Sequence, residues 1–363
     1  MTATSSQYIP TLDGWRAVAI LMVLFSHGLE LSNRLPFEIG FSGVNIFFVL
    51  SGILITERLL ADYTVDGRIQ FKKFYIRRAC RILPPVFVYL AVISVLGFGF
   101  HLFPLWKWEI VGSALFARNY ILVPHNGHAL YGWFTGHFWS LAVEEHYYLL
   151  WPLVIHIAGK SRARWAAILG ACICALWRFI GWGHGISQGY LLDRVPYFFR
   201  TDVRLDGLLL GSLIGLLYAD GGGRAVLARF IRKRDMLPLL VLYFLVLFTM
   251  YELGSIKELL LVAAMLTLTV LHPDVWLGRI LELAPVRWVG RISYSLYIWQ
   301  QLFLVLPEGG RPLHALNIFP LNLILTFVVA SLSYRLIERP MIRLGYRITS
   351  GTRPRDALTT VSG

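Results

Sequence analysis

The stretch "LDGWRAVAILMVLFSHG", residues 12–28, decides how the chain is read. Between Arg16 and His27 lie ten residues, nine of them apolar. Such a run reads as a helix inside a bilayer, with a permanent cation at one end and a titratable imidazole at the other. Eleven residues turn an ideal helix through about 1100°, some 20° past three full turns, and raise it by roughly 16 Å. Both side chains therefore leave the helix on one face, with Arg16 expected near the cytoplasmic boundary and His27 in the outer third. Snorkelling to headgroups would account for Arg16 alone. A shared face for the pair points instead to a polar lining.

The rest of the chain has the same character. Its 363 residues are 56% hydrophobic and only 15% charged, far too few charges to cover a soluble domain of this length. Runs of about 17–25 mostly apolar residues fall near 16–32, 41–57, 82–103, 137–157, 165–182, 203–219, 236–252, 256–272, 287–306 and 317–337. The expected fold class is all-α, a polytopic membrane protein of about ten transmembrane helices. The short apolar stretch 109–123 reads as re-entrant or interfacial.

Placing the N-terminus inside puts 23 Lys and Arg on that side and six on the other, so both termini are expected in the cytoplasm. This distribution accounts for the net charge of +13 without a nucleic-acid partner. The N-terminus lacks a basic n-region, so the first helix is read as retained. Cys80, Cys172 and Cys174 give no disulfide framework. One transmembrane domain is expected over residues 1–345, followed by a polar, disordered tail at 346–363.

The fourth run, "GHFWSLAVEEHYYLLWPLV", places Glu144 and Glu145 about two turns inside its outer end. A carboxylate near the bilayer centre costs on the order of 2.5–3.5 kcal/mol on insertion scales. Each must face a cavity, take a partner or be protonated. Adjacent helical residues are about 100° apart, so one is expected to face a cavity and the other a neighbouring helix. His137, Ser140, Glu144, Tyr147 and Trp151 follow a 3–4 spacing and could line one face. By depth, His27 and the glutamates share the outer half, and a carboxylate-oriented imidazole is a standard means of taking a proton from a hydroxyl.

The inner side carries "FKKFYIRRACRILPP", in which Lys73, Arg77 and Arg81 form a stripe with Arg78 beside it. Read blandly, this is a topology signal or an anionic-lipid patch. The sharper reading is a phosphate site, for which the guanidinium fork is matched. In "GVNIFFVLSGILIT", Ser51-Gly52 permits close approach of a ligand or of another helix. Arg204 and Asp206, two apart, do not face each other and each needs its own partner. His125 and His128 form a weak H-x-x-H pattern, and no metal site is expected.

These segments, with "RLDGLLLGSLIGLL", "VGRISYSLYIWQQ" and "LSYRLIERPMIRLG", occur in an order that resembles the membrane acyltransferase-3 family, from about Leu12 to Gly345. The resemblance implies an integral O-acyltransferase of the inner or plasma membrane. It would move an acyl group, commonly acetyl, from cytoplasmic acyl-CoA to a hydroxyl of an envelope carbohydrate or glycosylated metabolite. Acyl-CoA is then a co-substrate, with no permanently bound cofactor. The family's R-x10-H pair falls on Arg16 and His27, both associated with activity, its RRxxR motif on Arg77, Arg78 and Arg81, associated with the donor, and its acidic pair on Glu144 and Glu145.

The departures are Asn45 where Asp is common, His146 where Gln is common, and Gln300-Gln301-Leu302 after Trp299 where the family has W-H-x-P. The extra outer hydrolase-like domain of some relatives is not expected in so short a chain. In the implied chemistry Arg77, Arg78 and Arg81, with Arg16, hold the carrier's phosphates. His27 acts as base and Glu144 or Glu145 orients it. Asn45, or a backbone N–H near Ser51-Gly52, meets the oxyanion, and His137 and Ser140 complete the pocket. A second scheme makes His27 or Ser51 a covalent acyl carrier. The rival class is a proton-coupled transporter or flippase of an envelope glycan precursor.

Overall fold

The computed structural model describes residues 8–28, 38–121, 132–183, 199–249, 256–305 and 312–349, which contain helices and no strand. In chain order the helices are α1 (Pro10–Gly28), α2 (Glu38–Asp66), α3 (Phe71–Ser94), α4 (Lys107–Ala114), α5 (Trp133–Gly136), α6 (Phe138–Gly183), α7 (Thr201–Arg204) and α8 (Asp206–Tyr218). They continue as α9 (Gly221–Phe230), α10 (Met236–Thr249), α11 (Ile256–Leu271), α12 (Trp276–Leu281), α13 (Ala284–Arg291), α14 (Ser293–Phe303), α15 (Leu321–Ser333) and α16 (Arg339–Thr349). A π turn at Val95–Gly99 extends α3, and another at Tyr334–Glu338 joins α15 to α16. The described part of the stretch at 109–123, up to Ile121, falls in the short α4 and a 3-10 turn at Arg118–Tyr120. His125 and His128 lie outside the described residues.

Four helical stretches, Ile39–Tyr63, Phe71–Gly99, Trp133–Gly181 and Leu321–Thr349, are long and apolar enough to cross a membrane. Their outer surface suits hydrocarbon rather than water. Along α6, Trp165, Leu169, Ile173, Leu176 and Phe179 are each more than half exposed, forming one stripe at helical spacing. Polar groups lie inside instead, among them Arg204, Asp206, Glu258, Gln300 and Glu338. The chain is built as a membrane protein.

The stretch Trp133–Gly181 is 49 residues long, roughly 74 Å of helix and far more than one crossing needs. Its backbone departs from the helix at Gly159, whose φ of 70° and ψ of 167° favour glycine. The partners on either side show that the chain reverses there. Before the break, His146 Nδ1 meets Thr201 Oγ1 at 2.7 Å and Tyr147 OH meets Ser212 Oγ at 2.5 Å. After it, Arg164 bonds Asp220 at 2.7 Å and Arg178 bonds Asp206 at 2.5 Å. The second half therefore runs antiparallel to α8, with an ion pair near each end.

The centre is held by α2, packed on α1 and α8. A Cβ on Gly52 would stand 2.1 Å from the Leu208 carbonyl oxygen, and one on Gly211 2.1 Å from that of Val49. The two backbones can meet this closely only because both positions are glycine. This crossing turns one side of α2 into a fixed wall and leaves Ser51 and Leu54 free to face the other way, toward α1 and α3.

Candidate active site

Where α1, α2, α3, α6, α14 and α16 converge, they enclose a cavity of about 540 Å³. Early residues of α1, α3, α6 and α14 meet there, while α2 lines it along most of its length, from Val44 to Asp62. Six guanidinium groups line it: Arg16, Arg58, Arg77, Arg78, Arg81 and Arg291. Five carboxyl groups accompany them: Asp13, Glu57, Asp62, Glu144 and Glu338. Arg77 stacks on Tyr346 at 4.5 Å and donates from Nε to Thr349 Oγ1 at 2.8 Å, with Arg58 over the same ring.

Deeper in the cavity, Arg78 lies over the Tyr148 ring at 4.0 Å, with its Nε buried and without a hydrogen-bond partner among the described residues. Arg16 is 3.5 Å from Asp13. Glu144 accepts from Tyr148 OH, with Ser51 also in hydrogen-bonding reach and Arg78 and Arg16 in electrostatic reach. Glu338 accepts from Ser295 at 2.9 Å, with Arg81 and Arg16 acting on it. The arrangement presents several forked cationic donors to one cavity, a donor set matched to phosphate groups.

The far end closes at Ser140 and Tyr297, whose oxygens are 2.5 Å apart. Tyr297 OH donates to the His137 carbonyl at 2.8 Å. One turn further along α14, Gln300 Oε1 meets His27 Nδ1 at 2.8 Å, and Gln301 Oε1 meets His137 Nδ1 at 2.5 Å. Gln301 Oε1 also accepts the His137 backbone N–H at 3.2 Å. Trp133 donates from Nε1 to the Gln301 carbonyl at 3.0 Å and sets its ring edge-on to His27, 5.4 Å between centroids.

A family model described as an acyltransferase domain matches residues 9–335. The chain belongs to the acyltransferase-3 family. Among its relatives are the peptidoglycan O-acetyltransferase OatA of Listeria monocytogenes, 28% identical over 95% of this chain and 57% of its own length, and YrhL of Bacillus subtilis, provisionally named a peptidoglycan O-acetyltransferase, 31% identical over 94% of this chain and 56% of its own. A protein of Staphylococcus aureus strain COL, provisionally named an O-acetyltransferase, is 30% identical over 94% of the chain and 58% of its own. The chain thus spans little more than half the length of these curated relatives. No solved structure matches it.

The structure gathers Arg16, Arg77, Arg78, Arg81, Glu144, Ser51 and Ser140 around one cavity, and it places the other expected site residues elsewhere. His27 is not among the lining residues, because Ile20 and Val23, between it and Arg16 on the same face, are buried in the packing. The cavity therefore stops short of the imidazole instead of running through to it. Among the described residues no glutamate orients His27, whose ring partner is Gln300. Glu144 belongs to the arginine end, and Glu145 turns away from the lining, as two neighbours about 100° apart must.

Asn45 is not an oxyanion donor in this arrangement. Its amide donates to Glu258 at 2.9 Å and its oxygen accepts from Arg204 at 2.9 Å, both inside the core. Arg204 and Asp206 do take separate partners, the second being Arg178. Gly52 serves the crossing with α8, and its N–H is spent within α2. His137 sits behind the Ser140–Tyr297 closure. Sequence reasoning missed Gln300, Gln301, Tyr148 and Glu338. The one available signal was a pair of adjacent amides inside the apolar run "SLYIWQQLF".

Proposed function

We propose that the chain is an integral membrane O-acyltransferase that moves an acyl group, acetyl in the first instance, from acyl-CoA to a hydroxyl of a cell-envelope carbohydrate such as peptidoglycan. The observation that carries this reading is the convergence of Arg16, Arg78 and Arg81 on one cavity, with His27 on the same helix as Arg16 and about 16 Å further along it. Phosphates held by the guanidiniums leave a flexible carrier arm that interval to cross, and it reaches His27 only when the Ser140–Tyr297 closure opens. The names of the relatives support the acceptor class, and family membership disfavours the transporter reading.

In the proposed step His27 Nε2 takes the proton of the acceptor hydroxyl as its oxygen bonds to the thioester carbonyl carbon. The carbon–sulfur bond then breaks, and the imidazolium returns its proton to the leaving thiolate. General-base assistance of this kind is worth about 10²–10⁴ in rate, and positioning supplies much of the rest. The arginine-rich end faces the cytoplasm in this reading, since 23 Lys and Arg fall on that side against six on the other. With it go ten spans in the inner or plasma membrane, cytoplasmic termini and a polar tail after the transmembrane domain. The test is mass spectrometry of envelope glycans with and without the gene. Loss of a 42-dalton increment supports the reading, and unchanged glycans refute it.

A further inference from the structure

Gln300 stands in the second half of α14, among mostly apolar residues, and it is fully buried. Nothing in the packing of α14 calls for an amide there, because Leu296, Ile298 and Leu302 around it are apolar and buried. Its oxygen is spent on a single group, His27 Nδ1, at 2.8 Å. The neighbouring Gln301 makes the same kind of contact with His137. Gln301 Oε1 accepts a backbone N–H, which can only donate, so the same oxygen takes the His137 ring nitrogen in its N–H form.

We infer that Gln300 is a positioning residue for acyl transfer: its Oε1 accepts from His27 Nδ1–H and holds the neutral imidazole in the tautomer whose Nε2 lone pair is free. The inference rests on the reading that His27 is the base. A neutral imidazole has one donor and one acceptor nitrogen, and the bond made by one decides the role of the other. Without an acceptor at Nδ1 the ring can place its proton on Nε2, where it cannot take a proton from a hydroxyl. An amide differs from a carboxylate in one useful respect, since it does not compete for the proton. The proton gained at Nε2 therefore stays there until the leaving thiolate takes it. Trp133, edge-on to the ring, limits the imidazole's rotation about the same bond.

The test follows radiolabelled acetyl transfer from acetyl-CoA to envelope glycan in native membranes. Gln300→Leu is expected to lower kcat on the order of 10–100-fold, as loss of a histidine's outer partner does elsewhere, with KM for acetyl-CoA unchanged. Gln300→Glu keeps an acceptor oxygen and is expected to recover most of that loss. In a His27→Ala background Gln300→Leu is expected to cause no further loss, because the residue acts only through the ring. Should Gln300→Leu not insert, the unbranched Gln300→Met takes its place.

Full activity of His27→Ala would overturn the reading of His27 as base, and this inference with it. An inactive His27→Ala beside a Gln300→Leu within twofold of wild type would overturn only the inference. Losses that multiply in the double variant would do the same.

Discussion

Replacing Arg78 with lysine tests the donor site at one atom pair. The guanidinium lies 4.0 Å over the Tyr148 ring, and its Nε is buried without a described hydrogen-bond partner. Lysine preserves the single positive charge, so the long-range attraction for a polyanion is kept. What it loses is the fork, and with it one of two parallel charge-assisted bonds to a phosphate. Contact with the ring is present with or without ligand and largely cancels.

One such bond is worth about 1.5–3 kcal/mol, which is roughly a 10- to 150-fold change in Kd. The assay is calorimetric titration of coenzyme A into the protein in lipid nanodiscs, with the unfolding midpoint measured alongside. Arg335→Lys serves as control, because Arg335 is exposed and does not line the cavity. A Kd for Arg78→Lys within twofold of wild type, in a protein that unfolds at the normal temperature, would refute the assignment of this arginine to the phosphates.

Other expectations follow from the same geometry. His27→Gln should reduce acetyl transfer by about 10²–10⁴ without changing the Kd for coenzyme A, because His27 lies beyond the cavity. Gly52→Val should lower the unfolding midpoint sharply, since its Cβ would meet a carbonyl oxygen at 2.1 Å, whereas Gly221→Ala, with open space around it, should leave it unchanged. Arg178→Met should cost about 3–5 kcal/mol by leaving Asp206 buried and unpaired, and Arg178→Met with Asp206→Leu should recover much of it. At the exposed pair of Lys233 and Asp274, the hydrogen bond from the lysine holds the carboxyl below its ordinary 3.8. Its contribution is present above that value and lost as pH falls below it, so Asp274→Asn should change the pH dependence of unfolding only in the acid range.

Much of the helical layout is legible because apolar runs announce themselves without help from tertiary contacts. The breaks are legible where composition changes, as at Gly159, where the reversal opens onto the charged stretch Lys160–Arg164. The shared face of Arg16 and His27 follows from helical geometry alone. What fills the space between them does not, because Ile20 and Val23 are as compatible with a lined channel as with a packed wall. Pairings between distant helices are equally opaque. Asn45 carries nothing in its local sequence to say that Glu258 and Arg204 will consume both ends of its amide. Gln300 and Gln301 are conspicuous as polar residues, yet only the meeting of α14 with α1 and with the end of α5 gives each a histidine.

The near balance of acid and base around the cavity bears on turnover. A cleft of bare guanidiniums would grip a spent carrier as firmly as a loaded one, since both bear identical phosphates, and the enzyme would stall on its by-product. Glu144 and Glu338 sit close enough to Arg16, Arg78 and Arg81 to reclaim them the moment the anion loosens. On the proposed reading, these resident carboxylates would give the arginines somewhere to return, trading depth of binding for speed of release.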